Sequence, residues 1–184
     1  MTGWNLPESI TISGISYDIS TDYRDILDIL CQLNNTSEDG QTRCFVAMAL
    51  FYEDFFQMPE YDYPEAIRSM FDFIRCGEPE PAAPSPKLLD WEQDKGMIVA
   101  DINKVSGCEV RALPFCHWWT FMAWFNAIGD GQLSTIVSIR SKRRKGKKLA
   151  DWEREFYNEN REKIDFKVEY TEAENEMLKQ MLGK

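Results

Sequence analysis

Residues 114–128 (PFCHWWTFMAWFNAI) contain no Asp, Glu, Lys or Arg. A helical stretch without a water-facing side belongs in the middle of a protein. Pro114 suits the first turn of a helix and Gly129 a left-handed cap at its end, so the spacing predicts a central core helix over 114–128. Trp118, Phe121, Met122 and Phe125 recur at i, i+3, i+4 and i+7, forming one apolar stripe. Cys116, Thr120, Ala123 and Ala127 form a side of small residues over which another helix can approach closely. Trp119 and Trp124 fill two of the remaining sectors. The stretch is too short, and too rich in aromatics, to span a membrane. The expected structural core is therefore His117, Trp118, Trp119, Phe121, Trp124 and Phe125.

His117 is the chain's only histidine. It reads either as a general base or metal ligand, or as a buried imidazole whose hydrogen bonds fix how the two tryptophans pack. The second reading has more support. The surrounding sequence offers only Cys116 as a companion, and neighbouring side chains on a helix point about 100° apart. There is no glycine-rich phosphate loop, GxSxG, HExxH or second histidine. No catalytic, metal or cofactor residue is assigned, and the expectation is a protein that binds rather than catalyses. The five cysteines, at 31, 44, 76, 108 and 116, are odd in number and lack CxxC or zinc spacing. They read as reduced residues of a cytosolic protein. The N-terminus has no secretory pattern, and no run is apolar and long enough to cross a membrane.

Along the chain, Ile10, Ile12, Ile15, Tyr17 and Ile19 alternate on either side of Ser13-Gly14, which predicts a β-hairpin. Thr21 or Asp22 can cap a helix bearing Ile26, Ile29, Leu30 and Leu33, ended near Asn34-Asn35. A second helix is expected over 41–58, and a third from Pro64 with the stripe Ile67, Met70, Phe71 and Ile74, closed by Gly77. Residues 78–86 (EPEPAAPSP) cannot form helix or central strand, and read as a linker or a surface loop. Asp90 then caps a helix bearing Trp91, Ile98, Ile102 and Val105, which Gly107 ends. Leu133, Ile136, Val137 and Ile139 form a short helix that runs into a basic run, and Leu149, Trp152 and Phe156 mark another. A capping box at Thr171–Glu174 opens a last short helix with Met177, Leu178 and Met181 on one face. The organisation expected is a hairpin with acidic helices over 1–77, the proline-rich stretch 78–86, a helical part over 87–165 and a tail over 166–184. The fold class is mainly α, a single helical domain around the aromatic helix with a small N-terminal β-hairpin.

Charge is unevenly placed. The chain carries a net −10, and residues 1–86 hold 4 basic and 15 acidic side chains. Residues 140–148 (RSKRRKGKK) hold seven basic and no acidic ones: Arg140, Lys142, Arg143, Arg144, Lys145, Lys147 and Lys148. These seven are the candidate partner-binding residues. Three readings stay open for them: a solvated loop, a protein-docking patch, or contact with nucleic acid. The last lacks the interleaved aromatics that nucleic-acid grooves use. Opposite charges at two places on one chain can also bring copies together head to tail.

The order of features resembles a known family. Trp4-x-Leu6-Pro7, Ile10-x-Ile12-x-Gly14-x-x-Tyr17-x-Ile19 and Thr21-Asp22-Tyr23-Arg24 are similar to the start of the bacteriophage gene-product-fifteen family, small tail proteins of siphophages of Gram-positive bacteria. Ala66-Ile67, Phe73-Ile74, Gly77 and Trp91-Glu92-Gln93-Asp94 with Ile98 extend the match. His117-Trp118-Trp119-x-Phe121 followed by Ile139-Arg140 is its most specific part. The resemblance implies a tail-assembly protein working in the host cytoplasm and absent from the finished virion. Its role would be that of a tail-assembly chaperone, which keeps the tape measure protein soluble and recruits tail-tube subunits. It implies no catalytic residues, no cofactor and no membrane partner, and leaves self-association open. The five cysteines and the dense basic run depart from the family pattern. The alternative is a nucleic-acid-associated phage protein that uses residues 140–148.

Overall fold

The computed structural model describes residues 4–83 and 86–167. Among them are eight α-helices, three single 3-10 turns and one two-stranded antiparallel sheet, so the chain is mainly α with an N-terminal β-hairpin. The expected last helix, near residues 171–181, lies outside the described residues.

The hairpin pairs β1 (Ser9–Ile12) with β2 (Ile15–Asp18), Ile10 opposite Tyr17 and Ile12 opposite Ile15. Ser13 and Gly14 both take positive φ, at 49° and 85°, the backbone that matches a two-residue turn to the twist of its strands. Helix α1 (Tyr23–Asn34) starts where Asp22 accepts the Arg24 N–H at 2.9 Å, and it buries Tyr23, Ile26 and Ile29. Helix α2 (Gly40–Phe51) is capped by Asp39, which accepts from the N–H groups of Gln41 and Thr42. The expected helix over 41–58 thus stops at Phe51. Tyr52 turns out to bridge Ile19 of the hairpin arm, and its hydroxyl donates to the Ala66 carbonyl at 2.8 Å. Only one 3-10 turn, Phe55–Gln57, follows before Met58.

Helix α3 (Tyr63–Ile74) has Pro64 in its first turn and buries Ala66, Met70 and Phe73; Ile67, Phe71 and Ile74 are half-buried. Asp90 caps a turn rather than a helix, accepting from the Glu92 and Gln93 N–H groups. Helix α4 (Lys95–Ser106) begins only after the buried Asp94, and Gly107 ends it with φ 72°.

Helix α5 (Trp118–Asn126) is shorter than the expected 114–128. Residues before it run beside the start of α1 instead. Tyr23 N–H donates to the Cys116 carbonyl at 2.9 Å, and Trp118 N–H to the Thr21 carbonyl at 2.7 Å. The second oxygen of Asp22 takes the Cys116 N–H at 3.0 Å. Those bonds use backbone groups that a helix from Pro114 would need. Gly129 does not take a positive φ, and Ala127 ends the helix. Nor is α5 buried all round. Trp118 and Phe121 are fully buried, Trp119, Met122, Trp124 and Phe125 are half-buried, and Ala123 and Ala127 are exposed.

Helix α6 (Gln132–Arg144) takes in the first half of the basic run. Gly131 precedes it for a steric reason: a Cβ there would stand 2.9 Å from both carboxylate oxygens of Asp101, one of which accepts the Leu133 N–H. Helices α7 (Asp151–Glu159) and α8 (Arg161–Ile164) complete the described chain. In α7 the apolar stripe is not what is buried: Trp152 is 60% exposed while Glu153 is 2%.

The chain divides into two compact units, with the boundary within α6 between Ser134 and Thr135. The proline-rich stretch lies inside the first unit, exposed at its described residues. Trp118→Ala removes the largest fully buried side chain of the first unit. It is expected to lower stability by roughly 3–5 kcal/mol in chemical denaturation, the usual cost of deleting a buried large aromatic. An unchanged denaturation midpoint would place Trp118 outside the core.

Candidate partner-binding surfaces

His117 is buried at the start of α5. Its Nδ1 accepts the Trp119 N–H at 3.0 Å, so it caps α5 in the way that Asp or Ser usually does. Nε2 lies 3.0 Å from the Pro7 carbonyl. A carbonyl only accepts and an amide N–H only donates, so the ring is the neutral tautomer with its proton on Nε2. Both nitrogens are therefore occupied. The two tryptophans that follow act on α3: Trp118 Nε1–H donates to the Ile74 carbonyl and Trp119 Nε1–H to the Phe73 carbonyl, each at 2.9 Å. Carbonyls in the last turn of a helix have no partner within it. The His-Trp-Trp triplet is thus a clamp that caps one helix, closes another and holds the N-terminal arm. Among the described residues no group of three His, Cys, Asp or Glu is placed to hold a metal ion. Burial pushes the Cys116 thiol, and that of Cys76, up to about 11, so at neutral pH both are protonated and unreactive.

The basic run divides in two. Arg140 is buried: its guanidinium donates to the Ile164 carbonyl at 2.7 Å and the Lys163 carbonyl at 2.8 Å, and lies over the Phe166 ring. Lys142 donates to Glu153 at 2.6 Å. Arg143 pairs with Asp165 and stacks on Tyr157. These three cations hold the second unit together. Arg144, Lys145, Lys147 and Lys148 are exposed, on a helix end closed by the Lys147 N–H to Lys142 carbonyl bond at 2.9 Å and by Gly146 at φ 64°. The run therefore offers four outward cations, not seven.

Sequence periodicity did not indicate a large exposed apolar surface in the first unit. Phe45 is 43% exposed, Phe56 81% and Tyr61 79%. Phe45, Phe55, Phe56 and Tyr63 form one aromatic cluster, with the Phe45 ring 5.0 Å from Phe55 and 6.5 Å from Phe56. Beside it an open groove of about 510 Å³ runs between α2 and α3, walled by Cys44, Phe45, Met48, Tyr63 and Ile67. Glu53, Asp54, Glu60 and Glu65 fringe the cluster in sequence, all exposed. Phe55-Phe56 was the available signal: adjacent residues cannot share one helical stripe, and Pro59 and Pro64 leave no room for a helix between them.

A model of the Bacteriophage Gp15 protein family matches residues 4–166. The chain belongs to that family. No curated protein and no solved structure is significantly similar to it. The family match runs from the N-terminal arm to α8 and includes the clamp, the aromatic cluster and the four outward cations.

The second unit also carries a pH dependence. Glu153 is held below the ordinary Glu range by the Lys142 hydrogen bond first, then by the Ala150 N–H. At Asp165 burial acts upward, but hydrogen bonds from Tyr157, Arg143 and Arg161 outweigh it and the net shift is downward. A carboxylate with a depressed folded pKa stabilises above its unfolded value and loses that contribution as pH falls through the folded one. Hydrogen-exchange protection in α7 should therefore be full above about pH 4.5 and fall on further acidification. Lys142→Met should reduce that dependence; constant protection down to about pH 3 would remove the coupling.

Proposed function

We propose that this phage protein is a tail-assembly chaperone or adaptor that works by binding other proteins and not by catalysis. The observation that carries the reading is the open groove between α2 and α3, with Phe45, Phe56 and Tyr61 exposed beside it among carboxylates. Clustered exposed aromatics form a docking surface for apolar faces of partners. A groove of this kind suits an amphipathic helix, read through anchors spaced i, i+3/i+4 and i+7. The tape measure protein, long and helical, is the partner proposed for it, with tail-tube subunits as the second. The work takes place in the host cytoplasm, and the protein is absent from the finished virion. Acidic fringes keep such a complex soluble through net charge.

The test is co-expression with the tape measure protein of the same phage. Phe56 and Tyr61 are mostly exposed. Phe56→Ser with Tyr61→Ser should therefore leave the melting temperature within about a degree of wild type. Recovery of soluble tape measure protein should drop about tenfold or more, the loss of two aromatic anchors. Full recovery with the double variant would reject the groove as the docking site. Recovery of no tape measure protein by the wild type would reject the function.

A further inference from the structure

The first unit is strongly acidic and the described part of the second is basic. Residues 1–134 carry 8 basic and 21 acidic side chains, and residues 135–167 carry 11 basic and 6 acidic ones. On each unit uncompensated charge gathers at one edge beside an exposed aromatic. In the first unit this edge is residues 53–65. Glu53, Asp54, Glu60 and Glu65 are exposed there and make no ion pair among the described residues, and Phe56 and Tyr61, also exposed, lie among them in sequence. Asp62, in the same segment, is 3% exposed; one oxygen accepts from Ser13 at 2.6 Å and the other, buried, has no partner among the described residues. In the second unit the edge is residues 144–152. Arg144, Lys145, Lys147 and Lys148 are exposed without ion pairs among the described residues, at the negative end of the α6 dipole, and Trp152 follows, 60% exposed. Arg140, Lys142 and Arg143 are paired within the unit.

We propose that the 144–152 edge of one copy docks on the 53–65 edge of a second copy. Four cations meet four carboxylates, and Trp152 meets Phe56 and Tyr61. Charge sets which surfaces meet and how fast, and the aromatics supply most of the buried apolar area. The two edges are different surfaces, so the contact is heterologous: each copy leaves one edge free, and association continues into a ring or an open array. This inference does not depend on the tail-assembly reading.

Sedimentation velocity of the full chain tests it. Wild type should shift to larger species with concentration in low salt, about 0.05 M. At about 0.5 M the apparent affinity should weaken by about tenfold or more, as screening shortens to a few ångströms. Two charge-reversed variants give the decisive arm. One carries Arg144→Glu, Lys145→Glu, Lys147→Glu and Lys148→Glu. The other carries Glu53→Lys, Asp54→Lys, Glu60→Lys and Glu65→Lys. Each alone should be monomeric, because both of its edges then have one sign. Mixed in equal amounts, they should associate again, since each reversed edge meets an oppositely charged one. A wild-type chain that is monomeric at every concentration and salt overturns the proposal, whatever the variants do. So does a mixture that fails to associate while both variants retain the wild-type circular dichroism. Association that persists in either variant alone also overturns it. A monomeric wild type that binds a short duplex DNA through residues 144–148 would assign that edge to nucleic acid instead.

Discussion

Two indole N–H groups hold the first unit together. Trp118 and Trp119 each donate to a carbonyl in the last turn of α3, and the adjacent His117 caps α5 while reaching the N-terminal arm at Pro7. Three consecutive residues thereby tie three places that are far apart in sequence. Each bond satisfies a side-chain polar atom with a backbone group near a helix end; the Phe73 carbonyl also accepts the Cys76 N–H at 2.9 Å. Moving any of the three side chains leaves its own polar atom without this partner. Asp22 extends the same logic: one oxygen opens α1 and the other fixes Cys116, so the start of α1 and the approach to α5 are set together.

Because these polar groups are used up internally, surface chemistry lies elsewhere. The only histidine has both nitrogens bonded, and Cys76 and Cys116 are held protonated by burial. Prominent on the outside are the aromatic cluster by α2 and α3, its carboxylates, and the four cations at the end of α6 and after it. Such a surface is suited to docking, and the proposed chaperone role and the proposed self-contact draw on it in different ways.

Local signals were legible in the sequence. The Ser13-Gly14 turn, the Asp22 cap, Pro64 in the first turn of α3 and Gly107 after α4 all stand where turn and cap chemistry puts them. The family resemblance was legible from the order of short motifs; of the His-Trp-Trp triplet, His117 and Trp118 are buried and Trp119 is half-buried. Errors came where a distant partner competed for backbone or side chain. The hairpin arm takes Tyr52 out of α2, and the start of α1 takes Cys116 away from α5. Lys142 draws Glu153 into the second unit, which leaves Trp152 outside. Charge counting along 140–148 read seven equivalent cations, because nothing local marks Arg140 as a ligand of two carbonyls 23 and 24 residues away. Phe56 stands beside the buried Phe55 in one aromatic pair, so composition alone does not separate the exposed ring from the core one.

The clamp also has a consequence for how the chain is made. The Ile74 carbonyl meets its indole 44 residues later, the Phe73 carbonyl gains a second donor 46 residues later, Asp22 meets an amide 94 residues later, and Pro7 an imidazole 110 residues later. Synthesis runs from the N-terminus, so the hairpin and first three helices leave the ribosome with these groups open. The first unit closes only after Trp119 has emerged. A nascent chain that ends before Trp119 therefore lacks at least one of these bonds.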